Sequence, residues 1–407
     1  MKRSRSTAEP RPLGVPVLVA APVLVAVPVL LVVPVLLAAL LAAPLALAHH
    51  GAGTFDRNSR VELTGTIAGV DFVNPHAWVY FDVAGENGVT ETHRCEMRAA
   101  TVLRRSGWTP EMFVPGERVT ITGRGDRYDP NSCYLSTIVF QDGSRAERYG
   151  QLQKPEPVVP AQRPLRLANG DPNISGDWAP EQLVMTDPAG LGGALVPLST
   201  VEQYEPGEGS IGDPTQAGRG GARQYATRDV QLTEIGRREA EAFDTYTVED
   251  NPRMRCETTS ILFDWTFDGP VNRITQSGDT IVIQYGQYGF TRTIHMNANE
   301  HPSDVEPSRA GHSIGRWDDD VLVVDTAGFT PGVLSPPILN SDQLHVVERF
   351  SLDPQTLALT REYVATDPVY FVGEYRGSDT IHPADVPYDP DPCKELTFIN
   401  FSEQPRD

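Results

Sequence analysis

Three side chains that exchange protons readily fall on successive predicted strands in the C-terminal part of this 407-residue sequence. His312 begins one strand, and Asp325 ends the apolar strand 321–326. Glu348 falls on the apolar face of strand 344–352, where a carboxylate needs a partner or takes a raised pKa, as catalytic acids and bases do. We therefore predict that His312, Asp325 and Glu348 share one cavity. There they would perform acid-base chemistry without a cofactor, such as hydrolysis or isomerisation.

Two further side chains, Arg316 and His345, are candidates for ligand binding beside this trio. In an alternating strand, Arg316 shares a face with His312, and His345 lies on the face opposite to Glu348. The structural alternative is that Glu348 pairs with Arg316 and that His312 caps a turn. Both interpretations are open at this point. No P-loop or dinucleotide fingerprint follows a predicted strand, which disfavours nucleotide chemistry.

The first 48 residues have the features of a secretory signal peptide. Four basic residues precede Leu13, and an uncharged run then ends in the cleavage pattern Ala-Leu-Ala at 46–48. We predict cleavage after this pattern and a periplasmic or secreted mature protein. The alternative is an uncleaved anchor, since about 20 apolar residues span a bilayer. Membrane contact is then limited to this segment.

Cleavage at that point creates a possible copper site, because His49 becomes the mature N-terminus. Its amine and its ring nitrogen can chelate one metal ion, and a third nitrogen from His76 completes the set. Such a site is similar to the histidine brace of copper monooxygenases and of some periplasmic copper carriers, and copper(II) heads the affinity order for nitrogen ligands. His50 or His93 can replace His76, and Asp56 can add an oxygen. The alternative is a frayed terminus and a histidine that simply follows a turn.

The composition is that of a globular, acidic protein. The sequence carries 54 acidic against 34 basic residues, a net charge of −20, which repels a nucleic-acid backbone. We therefore expect a small molecule or a metal ion as the partner and no nucleic acid.

The length and the strand pattern predict a mainly β protein with two domains. Over residues 49–150, three strands, a short helix and two strands follow the order of an OB-like five-stranded barrel, with a small sandwich as the alternative. Prolines over residues 151–172 indicate a linker. Residues 173–407 begin with loop-rich sequence and one helix at 233–243. They continue as hairpins that predict an antiparallel barrel or sandwich of lipocalin-like outline.

The four cysteines divide between these two domains, and none forms a C-x-x-C pair. The third and fifth strands of an OB-type barrel are neighbours, which brings Cys95 near Cys133. We predict that disulfide and a second one between Cys256 and Cys393, formed in an oxidising compartment. Buried free thiols are the alternative.

Two stretches resemble uncharacterised families of exported bacterial proteins. Ala-His-His-Gly-Ala-Gly at 48–53 and Asn-Pro-His-Ala-Trp at 74–78 are typical of one family, and the likeness covers about residues 48–143. Gly-His-Ser-Ile-Gly-Arg-Trp and His-Val-Val-Glu-Arg-Phe are similar to a second, β-rich family over about residues 253–352. Both resemblances imply export and architecture, and neither implies a catalytic role.

Three functions follow from the sequence, in this order of preference. The first is an exported protein that binds a small ligand in its C-terminal β domain. The second is a copper-binding protein that uses His49 and His76. The third is an acid-base enzyme that uses His312, Asp325 and Glu348.

Overall fold

The computed structural model describes residues 55–389 except 57, 75, 86–87, 153–163, 186–194, 201–202, 206–208, 212–229, 245–248 and 268. The predicted signal peptide, His49, His50, half of the predicted linker and Cys393 therefore lie outside the described residues. Within the described part of the chain, no helix is both long and apolar enough to cross a membrane.

The N-terminal part is a closed five-stranded barrel with a sixth strand at its edge, as the strand pattern predicts. Its elements are β1 (Val61–Asp71), β2 (Trp78–Ala84), β3 (Thr90–Glu96), α1 (Ala100–Arg105), a 3-10 turn (Pro110–Met112), β4 (Arg118–Gly125), β5 (Ser132–Val139) and β6 (Arg145–Glu147). The strand order is β3-β2-β1-β4-β5-β6, and a parallel pairing of β3 with β5 closes the ring. Buried apolar side chains such as Trp108 and Phe81 fill the interior.

A disulfide links β3 and β5, the two strands whose pairing closes the barrel. Cys95 on β3 and Cys133 on β5 are direct partners in the register and are covalently joined, which confirms the predicted pair. Gly123 faces the same point, and a Cβ there would lie 2.3 Å from the carbonyl oxygen of Tyr134, so only glycine fits. Cys256 is also disulfide-bonded, and none of the described cysteines is free.

Short elements follow the N-terminal barrel along the chain, and the first of them, β7, is a strand of the C-terminal barrel. They are β7 (Gly176–Pro180), β8 (Leu183–Met185), β9 (Leu195–Pro197), a 3-10 turn (Leu198–Thr200), β10 (Gln203–Glu205), β11 (Gly209–Ile211), β12 (Gln231–Leu232), α2 (Glu234–Ala242) and a 3-10 turn (Pro252–Arg255). The predicted helix is present as α2. Its N-cap is Thr233, whose hydroxyl accepts a hydrogen bond from the amide of Gly236 at 3.0 Å.

The C-terminal part is a closed barrel of nine strands. The remaining strands are β13 (Asn272–Ser277), β14 (Thr280–Gln284), β15 (Thr291–His295), β16 (His312–Asp318), β17 (Val321–Ala327), β18 (Gly332–Ser335), β19 (Ile338–Asn340), β20 (His345–Leu352), β21 (Leu359–Thr366), β22 (Phe371–Val372) and β23 (Tyr375–Pro383). Around the barrel the order is β13-β14-β15-β16-β17-β20-β21-β23-β7. The sequence predicts seven of these nine strands but not β7 and β23. The predicted strand at 396–401 lies outside the described residues.

One pairing departs from the predicted antiparallel meander. β15 and β16 run parallel, so residues 296–311 must cross from one end of the sheet to the other before β16 begins. This crossover supplies a side chain to the site described below.

The barrel interior is filled by the chain itself. The segment 256–267 enters the barrel, where Ile261 and Trp265 join the main apolar cluster. Arg361 donates hydrogen bonds to the carbonyl oxygens of Ile261 at 2.9 Å and Leu262 at 3.0 Å. The segment therefore occupies the place where a lipocalin-like barrel would hold its ligand.

Arg105 joins the two barrels. Although it lies at the end of α1, its guanidinium donates to Asp385 at 2.7 Å and to the carbonyl oxygens of Gly269 and Pro180 at 3.0 and 2.7 Å. The side chain is only 6% exposed. These bonds tie the N-terminal barrel to three separate segments of the C-terminal part.

Candidate functional site

Four of the seven described histidines gather around one aspartate on the outside of the C-terminal barrel. They are His295 on β15, His301 in the crossover, His312 on β16 and His345 on β20, and the aspartate is Asp325 on β17. We call these five residues the histidine cluster.

Strand register explains why three of them share a face. Asp325 pairs with Ile314 on one side and with Val347 on the other. His312 and His345 lie two residues before those partners, and positions two apart on a strand point to the same face. The crossover then places His301 over Asp325.

A continuous chain of polar contacts runs through the cluster. His301 Nε2 lies 3.0 Å from Asp325 Oδ1, and His345 Nε2 lies 2.8 Å from the same oxygen. The other nitrogen of His301, Nδ1, is 2.9 Å from His312 Nδ1. His295 stacks on His312 with ring centroids 5.0 Å apart and planes inclined by 12°.

The pKa shifts of Asp325 and His312 indicate the charge that each group carries at neutral pH. Partial burial alone would raise the pKa of Asp325, but hydrogen bonds from His301 and His345 outweigh it and hold that pKa below its usual value. Burial, with the neighbouring rings of His295 and His301, lowers the pKa of His312. At neutral pH, Asp325 is therefore an anion and His312 is uncharged.

The partners also assign the tautomers. An ionised carboxylate only accepts hydrogen bonds, so Nε2 of both His301 and His345 carries a proton. Of the two facing Nδ1 atoms of His301 and His312, one donates and the other accepts. When His312 is the donor, the lone pair of its Nε2 is available to take a proton.

The cluster is accessible from outside. The side chain of His345 is 44% exposed, that of Asp325 33% and that of His301 23%. A ligand can therefore reach these rings without opening the barrel.

Glu348 does not belong to this cluster, contrary to the prediction of a cavity shared with His312 and Asp325. It follows Val347, the partner of Asp325, so its side chain points to the opposite face, into the barrel. There it is fully buried, 2.5 Å from Arg292 Nη2 and 3.2 Å from Arg361 Nη1.

Further buried polar contacts lie inside the barrel, behind the strands that carry the histidine cluster. Arg361 also pairs with Asp379 at 2.5 Å. Arg292 donates to the hydroxyls of Ser313 at 2.8 Å and Thr326 at 2.7 Å. Ser313 follows His312 and Thr326 follows Asp325, so the inner network fixes the strands that carry the outer site.

Arg316 and His345, the predicted ligand-binding residues, both lie on the outer face. His345 binds Asp325 as described. Arg316 is exposed and makes no ion pair with the described residues, so the alternative pairing with Glu348 does not occur.

Of the two preferred copper ligands, His49 and His76, only His76 falls among the described residues. Its Nδ1 lies 3.2 Å from Oε1 of the buried Glu96, without a well-aligned hydrogen bond. His93 packs its ring 5.9 Å from that of Phe81. Considering only the described residues, no three His, Cys, Asp or Glu side chains form a group that could hold a metal ion.

Sequence reasoning misses His295 and His301. His301 lies in a connection with no strand pattern, so periodicity gives it no face and no neighbours. One signal was present: four of the nine histidines fall between positions 295 and 345.

Comparison with known proteins concerns the N-terminal part. Residues 37–132 match DUF6152, a family of unknown function. This match agrees with the resemblance of residues 48–143 to an uncharacterised family, and it ends before the C-terminal barrel begins. No curated protein and no solved structure matches the chain.

Proposed function

We propose that the protein is a cofactor-free acid-base enzyme that acts on a small polar molecule at the histidine cluster. The observation that carries this proposal is the series of contacts Asp325–His301–His312, in which His301 lies between a carboxylate and the half-buried ring of His312. Small-ligand binding, the first preference from the sequence, then takes place on the outer face of the barrel and not in its interior.

In this proposal, His312 acts as the general base of a hydrolysis. Its Nε2 removes a proton from a water molecule, and the water oxygen adds to the carbonyl carbon of an ester-like substrate. The imidazolium then returns the proton to the departing oxygen, so that ester and water become acid and alcohol. His301 holds the ring by its Nδ1, and the anion of Asp325 stabilises the positive charge through His301.

The test uses p-nitrophenyl acetate as the probe, because neutral imidazoles cleave it and its product is coloured. His312→Ala and His301→Ala should lower the rate at pH 7 by about tenfold or more, as expected for loss of a general base or its orienting group. His382→Ala is the matched control, since His382 is an exposed histidine on β23 away from the cluster. Equal rates for wild type, His312→Ala and His382→Ala would refute the proposal.

Copper binding through His49 and His76 is a second proposal, favoured by the position of His76. Histidines that bind metals generally have a carboxylate beside their other nitrogen, and Glu96 lies beside Nδ1 here. Nε2 would then be the ligand. Copper(II) titration of the exported protein should show binding that His76→Ala abolishes, and an N-terminal residue other than His49 would exclude this site.

We also propose that the protein works in the periplasm or outside the cell. The disulfide between Cys95 and Cys133 supports this location, because such bonds persist mainly in oxidising compartments. The proposed partner is a small molecule or a metal ion and not a nucleic acid.

A further inference from the structure

A cation lies on the same face of the barrel as the histidine cluster. Arg316 pairs in register with Val323, and Val323 pairs with Arg349 on its other side. This row of three lies two residues along the strands from the row that contains Asp325, and it faces outward like that row. The two arginines therefore flank Val323 beside the proposed catalytic site.

The two arginines differ in their partners. Arg349 Nη2 lies 3.2 Å from Asp318 Oδ2, and Arg349 also stands opposite Glu362 in the register. Arg316 is exposed and has no ion-pair partner among the described residues. In a chain of net charge −20, a cation left unpaired next to an acid-base cluster is available for an anionic ligand.

Apolar side chains lie between the cluster and Arg316. Ile314 and Val347 are half-buried in the row of Asp325, and Val323 is only 3% exposed although it faces outward. His312 and Arg316 are four residues apart on one strand, about 13 Å between their Cα atoms. A ligand with a short apolar body spans this distance when both side chains turn toward it.

We propose that the substrate carries a carboxylate that pairs with Arg316 while its reacting carbonyl lies at His312. The substrate class is thus a small ester-like molecule with an anionic end and a short hydrocarbon body. A planar guanidinium binds a carboxylate through two parallel hydrogen bonds, which fixes the orientation of the substrate as well as its position. This inference rests on the proposed acid-base function.

Two matched probes isolate the charge. The mono-p-nitrophenyl ester of glutaric acid ends in a carboxylate, whereas p-nitrophenyl pentanoate of the same chain length ends in a methyl group. Wild type should favour the anionic ester in kcat/KM by about fivefold or more, after correction for the uncatalysed rates. The preference should disappear in Arg316→Ala, return in part in Arg316→Lys, and shrink as salt is added. Arg238→Ala, on the exposed helix α2, should keep it.

The outcomes separate this inference from the proposed function. Cleavage of both esters at similar kcat/KM, or a preference that survives Arg316→Ala, would overturn the carboxylate while leaving the acid-base function intact. If neither ester is cleaved, the acid-base function fails. A titration with glutarate, followed by NMR of the arginine side chains, then tests whether Arg316 binds a carboxylate. Binding that is lost in Arg316→Ala supports an anion site, and the absence of binding to wild type contradicts it.

Discussion

Replacing Glu348 with alanine removes the only carboxylate that contacts Arg292 among the described ion pairs. Arg292 and Arg361 are each 1% exposed, so the change leaves a guanidinium in the barrel interior without its counter-charge. Arg361 keeps Asp379 and two backbone carbonyls, whereas Arg292 keeps only hydroxyl partners. Breaking a buried pair from one side costs about 3–5 kcal/mol, and we expect a loss of about 4 kcal/mol in the free energy of unfolding.

Urea denaturation followed by tryptophan fluorescence measures this loss, because Trp178 and Trp265 are buried in the same barrel. The control is Asp318→Ala, which removes an ion pair that is about half exposed on both sides and should cost less than about 1 kcal/mol. A similarly small cost for Glu348→Ala would refute the structural role. So would full stability combined with loss of ester hydrolysis, which would return Glu348 to the catalytic role that its sequence position suggests.

Three further changes test other parts of the structure. Arg105→Ala removes three hydrogen bonds at the junction of the barrels and should lower the free energy of unfolding, measured by calorimetry, by about 2–4 kcal/mol. Arg104→Ala is the control, because the ion pair of Arg104 with Asp389 is about half exposed and its loss should cost under about 1 kcal/mol. Burial raises the pKa of Asp264 to about 6, so the native state holds a proton that the unfolded chain releases near pH 4. The contribution of Asp264 to the free energy of unfolding should therefore fall by up to about 3 kcal/mol between pH 4 and pH 6. Asp264→Asn should flatten that decline. A pH profile of stability that is the same in Asp264→Asn and in the wild type would contradict the raised pKa. Replacing both Cys95 and Cys133 by alanine opens a loop of 38 residues and should lower the free energy of unfolding by about 4 kcal/mol. A change below about 1 kcal/mol would contradict this role of the disulfide.

The fold was largely predictable because most strands are marked by alternating apolar side chains between turn residues. The pairing of β3 with β5, and with it the disulfide, followed from the predicted strand order. The two strands that escaped prediction close the C-terminal barrel. β7 is short and contains Gly176 and Pro180, and β23 has Gly377 and Asp379 on the positions that face inward. Neither has a local pattern, because each is stabilised by its neighbours.

The site was less predictable than the fold. Alternation correctly put Glu348 and His345 on opposite faces of one strand, but it does not say which face of the next strand lies on the same side. Only the register, Asp325 against Val347, places Asp325 with His345 and apart from Glu348. His301 depends on the crossover between two parallel strands, and no local sequence pattern encodes that path.

The protonation pattern of His312 tests the central claim most directly. NMR correlation of its ring nitrogens and ring protons across pH reports both the tautomer and the pKa. We predict a neutral ring at pH 7 with the proton on Nδ1, and a change of this pattern in His301→Ala. A charged ring at pH 7, or a proton on Nε2 with Nδ1 bare, would contradict the account.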